Sequence, residues 1–141
     1  MSKDELLERC ISFSVKINKL RKFLREKQHE YNNSDQIQRS GTSIGANYSE
    51  ACNAVSKADF VNKLSIAQKE AYETIYWLKV LYGSELITQE QYDDLMADAS
   101  CLHKILSASV ATMKDSNKHS KSKICTACRS FEQSEIRNLK S

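Results

Sequence analysis

The chain has 141 residues and a formal net charge of +3, with 40% hydrophobic and 28% charged residues. It contains no proline and only three glycines, which is typical of a single helical domain and unlike a β-sandwich or a doubly wound fold. No run of apolar residues is long enough to span a bilayer, and the acidic N-terminus differs from a signal peptide. We therefore expect a cytoplasmic protein without membrane partners.

A first helix is predicted from the N-terminus. Ser2 and Glu5 have the spacing of a capping box, in which each residue satisfies a free backbone amide of the other. The apolar residues that follow recur at intervals of three and four, the period of a helix with one buried face: Leu6, Cys10, Phe13, Ile17, Leu20 and Leu24. We expect this helix to end near His29. Its second half carries six cations, Lys16, Lys19, Arg21, Lys22, Arg25 and Lys27.

A second helix is predicted with Asn33 or Ser34 as its N-cap and its end near Ala54. Gly41 and Gly45 lie inside it, although each costs about 1 kcal/mol relative to alanine. We therefore expect a neighbouring backbone or bulky ring to approach closely at both glycines, with three longer helices wrapped around this slender one. The expected apolar face comprises Ile37, Ile44, Tyr48, Ala51 and Val55.

Two further helices are predicted. Ser56 is the expected N-cap of the third, and Gly83 is its expected end. The third helix has a wide apolar face, which indicates burial against more than one neighbour, and an oligomer interface would account for its aromatic residues Tyr72, Tyr76 and Trp77.

Thr88 and Gln91 form a capping box that opens the fourth helix, which is expected to reach about Lys114. Short links between four long helices predict an all-α, up-down-up-down four-helix bundle over residues 1–115. Residues 116–141 are polar and basic, and we expect them to form a flexible tail.

A family resemblance is carried by residues 37–39, by Ser43, Ile44, Asn47, Glu50 and Ala51, and by the runs 56–60 and 70–78. Over residues 5–113 the chain resembles the four-helix-bundle proteins of 23S ribosomal RNA intervening sequences. That family is related to the accessory variability proteins of diversity-generating retroelements, which form rings, are basic and bind nucleic acid together with a reverse transcriptase. The resemblance implies a homo-oligomer, a pentameric ring as in its relatives, with RNA, DNA, a reverse transcriptase or another protein as partners. It implies no established biochemical activity for the intervening-sequence branch.

Charge is distributed unevenly along the chain. Residues 3–29 hold eight Lys/Arg against four Asp/Glu, residues 57–99 hold four against eight, and residues 114–141 hold seven against three. Such segregation can steer an anionic partner to one surface, or it can join copies of the protein head to tail. The six cations of the first helix are therefore candidates for binding nucleic-acid phosphates. The alternative is a solvated helix face whose last cations are favoured by the helix dipole.

The helices also carry charged residues beside the small-residue face. We expect Arg39 to form an ion pair with Glu70 or Glu73, which would fix the register of two helices, with Asn47 capping or bridging. In a catalytic alternative, Glu50 and Glu73 would act as an acid–base pair. No nucleophile, phosphate-binding loop or cofactor motif accompanies that pair.

Metal-binding and catalytic motifs are sparse. Glu26-Lys27-Gln28-His29 is one Glu-x-x-His motif, whereas di-metal bundles use two such motifs and two further glutamates. Cys101 and His103 are two apart on a helix and so point in different directions. Cys125-Thr126-Ala127-Cys128 has zinc-like spacing, but only His119 is near enough in sequence to add a third ligand. We predict no enzymatic activity, no metal and no cofactor, and we expect the helical cysteines at 10, 52 and 101 to be buried as small apolar residues.

Two functions follow from these observations. One is an accessory RNA- or DNA-binding protein without catalysis, which would contact backbone and shape because no base-reading module is visible. The other is a protein–protein interaction scaffold that binds no nucleic acid.

Overall fold

The computed structural model describes residues 1–119, with side chains described through Ser116. It contains four helices, α1 (Lys3–Lys27), α2 (Asn32–Cys52), α3 (Lys57–Gly83) and α4 (Gln89–His119). Contacts join α1 to α2, α2 to α3, α3 to α4 and α4 to α1, whereas the described helices make none across the two diagonals. This arrangement confirms the predicted all-α, up-down-up-down four-helix bundle.

Side chains cap three of the four helices as predicted. The Ser2 hydroxyl accepts from the Glu5 amide at 3.1 Å, and the Glu5 carboxylate accepts from the Ser2 amide at 2.6 Å. Ser56 accepts from the backbone N–H of its third helical residue at 3.1 Å, and Thr88 and Gln91 cap each other reciprocally at 3.1 and 2.9 Å. These bonds satisfy amides that would otherwise lack partners in the first turn of each helix.

The start of α2 differs from its prediction. Tyr31 is the N-cap and makes no side-chain capping bond, whereas the Glu30 carboxylate accepts from the Asn33 amide at 2.9 Å. Ser34 is buried and donates its hydroxyl to the Tyr31 carbonyl at 2.7 Å. The prediction of Asn33 or Ser34 as N-cap is therefore wrong, because an acid upstream of the helix supplies the acceptor.

The predicted apolar faces meet in one core. All six residues of the α1 seam are buried, and the core includes Ile37 and Ile44 of α2 together with apolar residues of α3 and α4. Val55, which was expected to extend the α2 face, lies beyond the end of that helix and is 95% exposed.

The two helical glycines of α2 face α1 at very short range. A Cβ atom at Gly41 would lie 2.9 Å from Cγ1 of Ile17, and one at Gly45 would lie 3.0 Å from Cβ of Cys10 and 3.6 Å from its backbone carbonyl carbon. Both glycines are buried. The expected close approach is confirmed, and backbone of α1 takes part in it at Gly45, but the nearest side-chain atoms belong to Ile17 and Cys10 and not to a ring.

The expectation that three helices surround α2 is wrong. Within the described chain, α2 contacts α1 and α3 but not α4, so it occupies one corner of the bundle. The glycines serve a single interface, where they let α1 approach. On the opposite side of α1 the packing is looser, since α1 and α4 share the least contact of the four neighbouring pairs.

Helix α4 extends past its predicted end near Lys114 and runs to His119. Its last described turns are held to α3, because the Ser116 hydroxyl accepts a hydrogen bond from Lys57 Nζ at 3.2 Å and donates to the Met113 carbonyl at 3.0 Å. The remainder of the predicted tail, including Cys125 and Cys128, lies outside the described residues.

The close α1–α2 contact predicts that Gly45→Ala lowers the free energy of unfolding by about 1–3 kcal/mol, as overpacking does in well-filled cores. Rotating the Cys10 side chain cannot relieve this clash, because the nearest atom is Cβ itself. Gly83→Ala is the matched control: its Cβ would meet nothing within 4 Å, and its φ is not positive. Urea unfolding should show the control unchanged or more stable, and equal stability of both variants would contradict the close approach.

Candidate nucleic-acid interface

Arg21 and Arg25 lie on the side of α1 that faces α2. Both guanidinium groups contact one oxygen of Asp35, at 2.9 and 3.1 Å. Arg25 also lies over the Tyr31 ring, 4.8 Å from its centroid. These two cations therefore share one acid within the chain, and only part of their charge is available to an external anion.

Lys16 lies on the other side of α1 and reaches α4. Its ammonium group is 2.7 Å from Asp98 and 3.0 Å from Asp94. The hydrogen bonds to Asp98 and then Asp94 raise the pKa of Lys16 above its ordinary value. Because two carboxylates surround one ammonium, this part of the predicted phosphate-binding set carries net negative charge.

Lys19, Lys22 and Lys27 complete the predicted set. All three are exposed, and within residues 1–119 none forms an ion pair. Upstream of Lys19 the same helix exposes two apolar side chains, Ile11 (54%) and Val15 (47%). The structure thus divides the six cations into three that are held by acids and three that face solvent.

An open groove of about 200 Å³ lies between α1 and α4. It is lined by Arg9, Ser12, Lys16, Asp98, Cys101 and Leu102. The Arg9 guanidinium donates to the Cys101 sulfur at 3.6 Å, and Lys16 is already paired to acids. A groove of mixed charge offers a polyanion little net attraction.

Arg39 joins α2 to α3 through two glutamates. It contacts Glu73, and its other nitrogen lies 3.5 Å from Glu70. The Trp77 ring nitrogen donates to the same Glu73 oxygen at 3.2 Å, whereas Oε2 of Glu70 is buried without a hydrogen-bond partner among the described residues. One guanidinium thus contacts two carboxylates, and Glu73 is the more fully hydrogen-bonded of the two.

The two glutamates respond in opposite directions. Burial raises the pKa of Glu70, and the Arg39 charge only partly offsets that effect. Burial would also raise the pKa of Glu73, but hydrogen bonds from Arg39 and Trp77 outweigh it and lower the pKa. Folding therefore favours the charged form of Glu73 and disfavours the charged form of Glu70.

Asn47 and Glu50 lie apart from this cluster. The Asn47 amide donates to the Ser43 carbonyl of its own helix at 2.8 Å, and Glu50 pairs with Lys63 of α3 at 2.7 Å. Glu50 and Glu73 are therefore each held by a separate cation and do not form the acid–base pair considered above. Asn47 bridges no helices among the described contacts.

The cysteines and histidines of the described residues form no metal-binding cluster. Cys10 is buried, and burial followed by the nearby Cys52 raises the pKa of its thiol to about 12. His29 lies beyond the end of α1 with φ 52°, which breaks the helical spacing of Glu26 and His29. Residues 1–119 contain no group of three or more His, Cys, Asp or Glu placed to hold a metal ion. No described helix is both long and apolar enough to cross a membrane.

The acidic partners of the α1 cations were missed by sequence reasoning. Asp35, Asp94 and Asp98 lie on other helices, and the sequence shows which acids exist but not which of them face α1. The one local signal is the placement of Arg21 and Arg25 four apart, since such residues share a helix face and can meet the same acid.

The opposite pKa directions predict opposite effects of two otherwise identical substitutions. At pH 7, Glu73→Gln should lower the free energy of unfolding by about 0.2–1 kcal/mol, the range for partly exposed ion pairs, whereas Glu70→Gln should leave it unchanged or raise it. The Glu73 contribution is present above the ordinary pKa near 4.5 and is lost as pH falls through its lowered pKa. The penalty from Glu70 is absent below the ordinary pKa near 4.5, develops as pH rises above it, and is complete above the raised pKa. Unfolding curves from pH 3 to 7 check both signs, and equal losses at pH 7 would contradict them.

Comparison with known proteins gives two matches. The family model of the 23S rRNA-intervening sequence protein matches residues 3–108. A crystal structure of a protein with unknown function from the S23 ribosomal protein family of Bacteroides thetaiotaomicron VPI-5482 is similar, with a TM-score of 0.76 and 47% identity over 79% of this chain and 99% of that chain. No curated protein matches significantly. Since the family model spans α1 to most of α4, the chain belongs to the 23S rRNA-intervening sequence protein family.

Proposed function

We propose that this chain is a non-catalytic, homo-oligomeric accessory protein of the cytoplasm that binds RNA or DNA through the outer face of α1. The observation that carries the proposal is the exposure of Lys19, Lys22 and Lys27 without an acidic partner in the described chain. Lys16, by contrast, is paired with Asp94 and Asp98 of α4. We propose RNA or DNA as the main partner. On the basis of the family resemblance, we propose a reverse transcriptase or another protein as a further partner.

The local charge supports phosphate binding. Residues 19–27 carry five cations, and the acids beside them are Glu26 and Asp35, which leaves a net charge of +3 from five against two. Each phosphate neutralised by a cation releases a condensed counterion, so binding of this kind weakens with salt. Contacts to phosphates carry no sequence information, and we propose binding that is independent of base sequence.

The arrangement of acids supports the absence of catalysis. Glu50 and Glu73 are each paired with a cation, so neither is free to act as a general base. The thiol of Cys10 is buried and its pKa is raised to about 12, which removes it as a nucleophile.

Self-association is the second part of the proposal. Ile11 and Val15 are one turn apart on the exposed side of α1, where a second copy would remove them from water. We propose a ring, pentameric by the resemblance stated above, in which the cations of each copy are repeated. Repetition raises the affinity for a long polyanion without any new contact in a single copy.

A protein-interaction scaffold is the second candidate function. The same exposed Ile11 and Val15 favour it, because exposed apolar side chains also fit a different protein partner. The two candidates differ in their affinity for nucleic acid at low salt, which only the first requires.

The proposed phosphate contacts predict that replacing Lys19, Lys22 and Lys27 together with glutamine weakens RNA binding and reduces the slope of log affinity against log salt by about 2–3. The control replaces Lys3 and Lys114 with glutamine, because both are exposed and neither forms an ion pair within residues 1–119. Fluorescence anisotropy with an RNA duplex at several salt concentrations measures both slopes. Equal slopes for the two variants would place the phosphate contacts elsewhere. If the unaltered protein binds no RNA at low salt, nucleic-acid binding is excluded and the protein-interaction scaffold is the remaining candidate function.

The proposed interface between copies predicts that Ile11→Gln with Val15→Gln dissociates the oligomer while the helix content stays unchanged. The control is Asn18→Gln, an exposed polar substitution on the same helix. Sedimentation velocity reports the mass, and circular dichroism reports the fold. A single-copy mass for the unaltered protein would contradict self-association, and an intact oligomer in the double variant would place the interface on another face.

A further inference from the structure

A second surface on the far side of the bundle carries lysines and aromatic rings. Lys69, Tyr72, Tyr76 and Lys79 follow at steps of three, four and three along α3, so they share one side of that helix. Tyr72 is 66% exposed and Tyr76 is 57% exposed. Both lysines are exposed, and neither forms an ion pair within residues 1–119.

Helix α4 extends this surface with more positive charge. The His103 ring lies 5.4 Å from the Tyr72 ring at an angle of 40°, and the next residue, Lys104, is exposed and unpaired within the described chain. Between residues 99 and 114, α4 has no Asp or Glu. The acids of α3 nearest in sequence are Glu70 and Glu73, and both turn towards Arg39 on α2.

The tyrosine rings are supported from the side. Tyr76 packs edge-on against Trp77 with centroids 5.0 Å apart and planes at 73°, and the Trp77 nitrogen is bonded to Glu73. Tyr72 rests beside His103. Rings held in this way have less conformational freedom to lose when a flat ligand stacks on them.

We propose that Tyr72 and Tyr76 form a stacking platform for bases of single-stranded RNA or DNA, with Lys69, Lys79 and Lys104 contacting its phosphates. This inference rests on the proposed nucleic-acid binding and adds a second site to it. Aromatic rings between cations are the recurring means by which proteins hold single strands, because every base has a face that stacks.

The exposed tyrosine rings favour unstacked strands. Bases inside a duplex are stacked on their neighbours and cannot lie on a side-chain ring, whereas the bases of a single strand can be splayed out and stacked on aromatic side chains. Duplex nucleic acid can therefore meet this surface mainly through its phosphates.

The lysines argue against a second copy of the chain as the occupant. The buried centre of a protein interface is depleted in lysine, and here the two rings share a surface with three exposed lysines that form no ion pair in the described part of the chain. The exposed apolar pair Ile11 and Val15 lies on α1, which makes no contact with α3 across the bundle. A strand on α3 and an interface on α1 therefore do not compete within one copy.

The test compares two double variants. The alanine variant carries Tyr72→Ala and Tyr76→Ala, and the phenylalanine variant carries Tyr72→Phe and Tyr76→Phe, which keep both rings. The probes are a labelled single-stranded RNA of about ten nucleotides, within the site sizes of single-strand binders, and an RNA duplex of the same length. The alanine variant should lose at least about tenfold in affinity for the single strand, and its duplex affinity should change less than about twofold. The phenylalanine variant should match the unaltered protein on both probes.

Three results would overturn the platform. Unchanged single-strand affinity in the alanine variant would show that the rings do not stack bases, while leaving the α1 proposal intact. Equal losses on both probes, with a fall in sedimenting mass, would assign the rings to an interface between copies. Failure of the unaltered protein to bind either probe would remove the proposed function and the platform together.

Discussion

The close approach of α1 to α2 at Gly41 and Gly45 fixes the geometry on which the other surfaces depend. Ile17 and Cys10 of α1 occupy the space where side chains would stand at these glycines. This contact sets the register of the two helices. Because the helices are antiparallel, later residues of α1 contact earlier residues of α2. The same register brings Arg21 and Arg25 opposite Asp35. A packing contact in the core therefore decides which cations on the surface are neutralised.

The opposite side of α1 has no comparable contact, and its chemistry differs accordingly. No described glycine lies between α1 and α4, and the two helices approach less closely than the other neighbours. Long polar side chains span the wider gap, with Lys16 reaching Asp94 and Asp98. Exposed ion pairs of this kind contribute little stability, so their main effect is on charge. They remove Lys16 from the surface that an anion would meet, and they leave Lys19 and Lys22 on the outer face between the two sides.

Local patterns were sufficient to predict the four helices. The α1 seam follows from spacing, since neighbours three or four apart share a face whatever the rest of the chain does. Three of the helix caps follow from local capping residues, and the close contacts at the glycines follow from the cost of glycine inside a helix. The position of α2 at a corner was not predictable in this way. A pair of glycines indicates that a neighbouring element packs closely against the helix. One closely packed helix explains both glycines as well as three would.

The candidate site was less predictable for the same reason. Whether Arg21 and Arg25 are free depends on the register between two helices, which no single helix encodes. The N-cap of α2 is a smaller case, because Glu30 lies outside the short polar segment where caps are expected. Sequence therefore indicates which residues could bind an anion, and the tertiary contacts indicate which of them still carry unneutralised charge.

The charge of a segment is also a poor guide to the charge of a surface. Residues 57–99 are acidic as a whole, with eight Asp/Glu against four Lys/Arg, yet one side of α3 presents Lys69 and Lys79 without an acid between them. Glu70 and Glu73 are directed to α2 by Arg39, and Asp94 and Asp98 of α4 are directed to α1 by Lys16. Four of the eight acids thus lie in contacts between helices, whereas Lys69 and Lys79 are exposed. An acidic stretch of chain can in this way carry a cationic face.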